Sequence, residues 1–252
     1  MNTSHDSVVQ RQFGPQAQAY VESSVHAAGA DLDWIEQYVS QLSPTHALDL
    51  GCGGGHVAYR LARHAERVIA SDLSADMVGA VLETAADKGL ANIEGQVASA
   101  ADLPFADNTF DCVVCRFSAH HWRDFVGGLT EARRVLKQDG VALFIDVAAP
   151  ENALADTHLQ AIELLRDPSH VRDYRPSEWS SALALAGFEI KSLRRWKLRM
   201  DFEPWIARMR TPDAHVAAIR SLQEAAAEEL RQYFTIEQDG SFVLDTTGIE
   251  AM

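Results

Sequence analysis

The run Asp49-Leu50-Gly51-Cys52-Gly53-Gly54-Gly55 is the part of this chain best suited to hold a ligand against its backbone. Glycines let the main chain turn sharply and let a ligand approach it with no Cβ in the way. A dinucleotide site would space them GxGxxG, with a pyrophosphate on the next helix. Here Gly51, Gly53 and Gly54 meet only part of that spacing, because His56 takes the third position, and no GK[ST] follows to make a phosphate loop. Asp49 would repel a pyrophosphate but attract a cationic amino-acid group. A second carboxylate, Asp72, closes Val68-Ile69-Ala70-Ser71-Asp72, where it can accept hydrogen bonds from both hydroxyls of a ribose. His120 and His121 are candidates for a general base or an acceptor contact.

Alternating strands and helices must position these groups. Residues 1–44 read as helical and partly amphipathic, with Leu32, Ile35, Val39 and Leu42 on one face and Pro44 closing the segment. Ala47-Leu48-Asp49-Leu50 is a short strand that ends in the glycine run, and a helix follows through Val57, Leu61 and Ala62. Val68-Ile69-Ala70 is a second strand, 74–88 a helix capped by Ser74, 93–97 a third strand and 110–116 a fourth. A helix over 123–137 leads through Gly140 to a fifth strand at 141–145. Such alternation gives a parallel sheet covered on both faces, with ligands at its carboxyl edge. That is where Asp49, Asp72, His120 and His121 fall. Residues 151–186 read as mostly helical, 188–197 as a sixth strand and 203–232 as two helices broken near Pro212. The tail 233–252 reads as two strand-like stretches around the turn signal Asp239-Gly240, closing the sheet with antiparallel strands.

Composition narrows the partners. Acidic residues outnumber basic ones 36 to 22, a net charge of -14. That disfavours nucleic acid, whose phosphates attract basic surfaces. The polar first ten residues carry no signal-peptide core, and no apolar run reaches the ~20 residues of a membrane span, so a cytoplasmic location is expected. Cys112 and Cys115 form a CxxC, but on a strand residues three apart face opposite ways, so they read as small buried hydrophobes rather than a metal or redox pair. The histidines form no metal-ligand spacing, and no required metal is expected. Oligomeric state leaves no mark on the sequence.

A cofactor with an α-ammonium, a sulfonium and a ribose satisfies both Asp49 and Asp72, which is the chemistry of S-adenosylmethionine (SAM). Four segments then carry a resemblance: residues 47–55, residues 69–77, Leu103-Pro104-Phe105-Ala106-Asp107-Asn108-Thr109-Phe110-Asp111, and Glu131-Ala132-Arg133-Arg134-Val135-Leu136-Lys137. Their order and spacing resemble the class I SAM-dependent methyltransferases, within the group that includes the ubiquinone and menaquinone C-methyltransferases. Phe13-Gly14-Pro15 with Ala19-Tyr20, Arg116-Phe117-Ser118-Ala119-His120-His121-Trp122, and Arg166-Asp167-Pro168-Ser169-His170-Val171-Arg172 are similar to a bacterial subgroup of the YafE and YcgJ type.

The resemblance implies an α/β, Rossmann-like fold: a seven-stranded, mostly parallel sheet with a reversed last strand and helices on both faces. It implies SAM as cofactor and S-adenosylhomocysteine as product. It places Asp49, Gly51, Cys52 and Gly53 at the methionine end, Asp72 and Leu73 at the ribose, and Met77, Ser99 and Ala100 at the adenine. Ser99 stands where the family often carries Asp, so adenine recognition there is uncharged. Arg116 and Phe117 fall near the transferred methyl. Residues 1–44, with Phe13, Tyr20 and His26, are expected to fold over the cofactor as a lid, and 45–252 to form the SAM domain with helical insertions around 151–186 and 203–232.

The expected acceptor is a small molecule, aromatic, quinone-like or acidic. His170, Arg172, Tyr174 and Arg175 lie in the insertion after the fifth strand, and their cations suit a carboxylate or phosphate. Tyr20 is a further candidate for acceptor contact. Other readings are a non-catalytic SAM-binding or interaction module, separated by methyl transfer itself; a nicotinamide oxidoreductase, separated by NAD binding; and an RNA methyltransferase, opposed by the charge.

Overall fold

The computed structural model describes residues 4–21 and 28–252. Its seven strands are β1 (His46–Leu50), β2 (Arg67–Asp72), β3 (Ile93–Val97), β4 (Phe110–Arg116), β5 (Leu136–Val147), β6 (Ile190–Met200) and β7 (Phe242–Ala251). They form one sheet in the order β3-β2-β1-β4-β5-β7-β6. β1 to β5 run parallel, and β7 is antiparallel to both β5 and β6. The order reverses between β1 and β4. In open α/β sheets such a reversal splays the loops apart and leaves a crevice at the carboxyl ends of the strands.

Among the described residues the first three helices are α1 (His5–Phe13), α2 (Ala17–Val21) and α3 (Ala30–Leu42). Then come α4 (His56–Leu61), α5 (Ala75–Asp87), α6 (Phe125–Val135), α7 (Ala153–Arg166) and α8 (Pro176–Leu185), and last α9 (Phe202–Arg208), α10 (Asp213–Glu224) and α11 (Glu228–Phe234). Apolar cores fill both faces of the sheet. Val39, Leu61, Val81 and Cys112 lie in one, and Leu129, Phe144, Trp179 and Cys115 in the other. The CxxC is thus split across the sheet, as alternation on a strand requires, and both thiols are free and buried. A third core, around Leu159, Trp205, Leu230 and Phe242, joins α7 and α9–α11 to the end of the sheet. Ser74 caps α5 as expected, its Oγ accepting from Met77 N–H at 3.4 Å.

The structure corrects several sequence expectations. The helix over 123–137 stops at Val135 and the chain enters β5 at Leu136, where Leu136 is buried and pairs with Phe110. The region 203–232 carries three helices rather than two. The second break falls at Ala225-Ala226-Ala227, strong helix formers with no turn signal, and the chain bends there as Leu230 and Phe234 enter the third core. For the same reason the stretch before Asp239-Gly240 is not a strand: Tyr233 and Phe234 end α11, and residues 235–238 are turn and irregular. The turn itself is real: Gly240 adopts φ +91° and Asp239 Oδ1 accepts from Ser241 N–H at 2.9 Å. It joins helix to β7, which inserts between β5 and β6, so β6 is the edge strand. Between α7 and α8, residues 167–175 are irregular, yet Asp167, Ser169, His170 and Asp173 there are all buried.

Candidate active site

One continuous cleft, enclosing about 1710 Å³ of space partly open to solvent, runs along the carboxyl edge of the sheet. At one end is the glycine loop. Gly51, Gly53 and Gly55 take φ of +75°, +47° and +78°, a backbone that side chains other than glycine rarely adopt. Gly51 also has no room for a side chain, since a Cβ would lie 2.0 Å from Ser118 Oγ. Asp49, at the end of β1, is 1 % exposed and accepts from Ala58 N–H at 2.9 Å. Burial, reinforced by nearby Asp72, pushes its carboxyl up to about 7 against the pull of the Ala58 N–H and Arg116. Asp72, at the end of β2, accepts from Gly53 N–H at 3.0 Å and Ser74 N–H at 2.9 Å. Burial raises its carboxyl as well. Each oxygen keeps a second lone pair, so two hydroxyls can still be bound.

Leu73, Met77, Ser99 and Ala100 line the same cleft, as do Cys52, Arg116 and Phe117. Ser99 Oγ accepts from Ala101 N–H at 3.3 Å. Phe117, where β4 ends, carries φ +52°, a strained conformation for an aromatic residue. Arg116 is buried against Asp31 of α3, Nε to Oδ2 at 2.5 Å, and its guanidinium lies 4.6 Å from the Phe117 ring centroid. Asp31 carries no motif of its own, and the sequence offered no signal for this pair.

The residues that follow Phe117 line a further part of the same cleft, its chamber. His120 and His121 sit on a 3₁₀ turn after β4, with ring centroids 4.1 Å apart. Their environments push them opposite ways. Burial alone would depress His120, but Asp146 at the end of β5 accepts from its Nδ1–H at 2.6 Å and lifts it to about 9. His121 is lowered to about 4, by burial and then by the His120 cation. Ser169 carbonyl, 3.1 Å away, can only accept, so His121 carries its proton on Nδ1 and leaves Nε2 with a lone pair. His120, Asp146 and Asp173 offer ligand atoms within 4.8 Å of one another. Asp146 Oδ1 accepts from Val147 N–H and His120 Nδ1–H, which joins His120 to Asp146, whereas Asp173 Oδ2 is buried without a hydrogen-bond partner among the described residues and burial raises its carboxyl.

The chamber is walled by Leu198 and Met200 of β6, Leu244 of β7, and by Glu163, Arg166, Trp205 and Arg208 of α7 and α9. The first two helices cover it. Val9, Phe13 and Tyr20 line the cleft, and Phe13 meets the His121 ring edge-on at 4.9 Å. His5 Nε2 donates to His121 carbonyl at 3.0 Å, Gln10 Nε2 to Leu73 carbonyl at 3.1 Å, and Gln12 Nε2 to Met209 carbonyl at 3.0 Å. His26 lies outside the described residues. The α2 backbone rests directly on the glycine loop, where a Cβ on Gly54 would fall 2.6 Å from Tyr20 O. Gly54→Ala is therefore expected to destabilise the protein by about 1–3 kcal/mol through overpacking. Denaturant unfolding measures this, and an unchanged midpoint would mean that α2 is not seated there.

Every cofactor residue expected from the sequence lines this one cleft, as do Tyr20, His120 and His121. His170, Arg172 and Arg175 do not. Arg172 and Arg175 close on Asp156 of α7, with N–O distances of 2.9 Å and 2.5 Å, and Arg172 also meets Glu178 at 3.1 Å. Asp156 is buried, yet hydrogen bonds from Gln160 and the two arginines hold its carboxyl below the usual range. His170 Nε2 donates to Gln160 Oε1 at 3.0 Å, and burial keeps that ring neutral. These cations compensate an internal carboxylate and do not line the cleft. Among the described residues the arginines that line it are Arg116, Arg123, Arg166 and Arg208, of which Arg166 lies inside a motif read from the sequence and Arg208 was marked by no sequence signal.

A methyltransferase-domain family model matches residues 48–144. The chain is 41% identical over 201 residues to YafE of Escherichia coli K12, covering 80% of this chain and 97% of that protein. It is 34% identical over 230 residues to YcgJ of Bacillus subtilis, named as an uncharacterized methyltransferase, covering 90% of this chain and 91% of that one. A crystal structure of a putative methyltransferase from Bacillus halodurans superposes with a TM-score of 0.85 at 32% identity, over 88% of this chain and 98% of that one.

Proposed function

We propose, from the premise that the chain belongs to the class I SAM-dependent methyltransferases, that its cleft methylates a small-molecule acceptor held in the chamber beyond Phe117. The observation that carries this is the continuity of the cleft from the glycine loop and Asp72 to the His120–His121 turn. A cation between Asp49 and Asp72, a ribose on Asp72 and an adenine against Met77, Ser99 and Ala100 fit the charges and spaces present. Bound SAM supplies an electrophilic methyl on a sulfonium. The chain holds the acceptor in line with that methyl, and such positioning accounts for much of the rate in a two-reactant displacement. The first two helices act as a lid that keeps water from the chamber.

His121 Nε2 is the proton acceptor for a nucleophile that must lose a proton. His120, kept cationic by Asp146, stabilises negative charge on the acceptor atom. Aromatic and apolar walls at Phe13, Tyr20, Trp205, Met200 and Leu198 suit an aromatic or quinone-like body. The enclosure and the net charge of -14 favour such a molecule over RNA.

Methyl-labelled SAM offered with a panel of hydroxyarenes, hydroquinones and aryl acids tests the reading through S-adenosylhomocysteine formation. The expected result is turnover by the parent and a loss of about 10²–10⁴-fold in His121→Phe. The variant should bind S-adenosylhomocysteine as the parent does. The rate should also fall as pH rises through about 9, where His120 loses its charge. Equal turnover in His121→Phe would remove that residue from the mechanism.

A further inference from the structure

Two buried donors on residues that line the cleft have no acceptor among the described residues. Trp205 lines the cleft and is 1 % exposed, and its Nε1–H meets no hydrogen-bond partner among the described residues. Arg208 lies three residues on in α9, hence on the same side of the helix, and also lines the cleft. Its Nε–H is likewise buried and without a partner. A buried donor left unpaired costs free energy, and a buried cation left unpaired costs more.

The neighbouring groups do not relieve this. Arg166 is the nearest further cation. It is already engaged, Nη1 donating to Glu163 at 3.2 Å and Nε to Trp205 carbonyl at 3.1 Å, with its guanidinium 5.0 Å from the Trp205 ring. Glu163 is thereby committed to Arg166. Asp167 accepts from Ser169 N–H at 2.8 Å and Ser169 Oγ–H at 2.6 Å. Burial and the Arg166 charge both act against the Arg208 cation, with Tyr20 and Glu163 as the only groups acting in its favour. Arg208 thus has donor capacity to spare: the residue is half-buried, lines the cleft, and keeps its Nε–H buried and unpaired among the described residues.

We infer that Arg208, with Trp205 Nε1–H beside it, is the docking point for a carboxylate on the methyl acceptor. A guanidinium edge of Nε–H and Nη–H matches the two oxygens of a carboxylate, which an amide or ketone cannot match in charge. The acceptor is then an organic acid with an apolar or aromatic body, its acid end at α9 and its nucleophile towards Phe117 and His121. The inference rests on the methyltransferase reading of the cleft and names the substrate class for it. It also moves anion recognition from Arg172 and Arg175, which the sequence suggested, to a residue three positions past Trp205.

The test uses protein saturated with S-adenosylhomocysteine and a set of matched pairs: phenylacetate with phenylacetamide, 4-hydroxybenzoate with 4-hydroxybenzamide, and indole-3-acetate with its amide. Ligand-observed NMR ranks them, and calorimetry gives dissociation constants for the best pair. The expected result is that the acids bind about 10- to 100-fold more tightly than their amides, the range for one charged hydrogen-bonded contact. Arg208→Gln should erase that preference, Arg208→Lys should keep part of it, and Trp205→Phe should weaken it. Affinity for S-adenosylhomocysteine should stay unchanged in all three, which also reports that they fold. Acids binding no better than amides, no binding by any pair, or a preference that survives Arg208→Gln would each overturn the inference. If the parent failed to bind S-adenosylhomocysteine, the cofactor reading would fall instead, and the acid–amide comparison on the free protein would still decide this one.

Discussion

Asp72→Ala is expected to weaken SAM binding by about 10²–10⁴-fold. The estimate follows from two hydrogen bonds to a charged carboxylate at about 1.5–3 kcal/mol each. Two roles of Asp72 converge on that loss. Its oxygens receive Gly53 N–H and Ser74 N–H, so the carboxylate fixes the glycine loop and the start of α5 as well as lining the cleft where the ribose is proposed to bind. Asp72→Asn separates them, because the amide oxygen can still accept while the charge and one acceptor are lost. Its affinity should fall between parent and Asp72→Ala. Calorimetric titration with S-adenosylhomocysteine measures both, and a loss under tenfold in Asp72→Ala would take the ribose away from this residue.

Asp31→Ala should lower stability by about 3–5 kcal/mol, the range for removing one partner of a buried ion pair. For a chain of this size that corresponds to a fall in Tm of about 6–20 °C. The cause is desolvation: Arg116 and Asp31 side chains are only 5% and 11% exposed, so the guanidinium would be left without this carboxylate away from water. The pair also ties α3 to the end of β4 beside Phe117, so the loss should extend to cofactor affinity. Asp31→Asn, which keeps the shape, should recover part of the stability. Thermal unfolding of the three proteins measures this, and a shift of less than about 2 °C in Asp31→Ala would mean that the pair contributes little.

The fold and the glycine-loop end of the cleft were legible in the sequence because both depend on local signals. Strands β1, β2 and β4 are short, mostly buried runs, while β3 is a five-residue strand in which only Ile93 is buried. The glycine loop and Asp72 sit at fixed offsets from them, and positive φ at Gly51 and Gly53 makes glycine necessary there. The acceptor end was less legible because it is assembled from distant segments. Asp146 holds His120 across 26 residues, Asp31 meets Arg116 across 85, and Arg208 reaches the chamber through α9. Charge in a motif does not say what it faces. Arg172 and Arg175 looked available, but buried Asp156 on α7 claims both, while Arg166 of the same motif turns into the cleft. The helix break at Ala225-Ala226-Ala227 was invisible for a related reason: packing of Leu230 and Phe234, and no local residue, bends the chain there.

The most direct measurement is a calorimetric titration of the parent protein with SAM across pH. One saturable site per chain is expected, with full affinity above about pH 7, where Asp49 is ionised in the free protein. Below that value the carboxylate must give up a proton to receive a cation, so affinity should fall about tenfold per pH unit, to about 100-fold weaker at pH 5. Folded protein that takes up no SAM at pH 8 would contradict the account at its centre. Binding that is independent of pH between 5 and 8 would remove Asp49 from contact with the cofactor's charge.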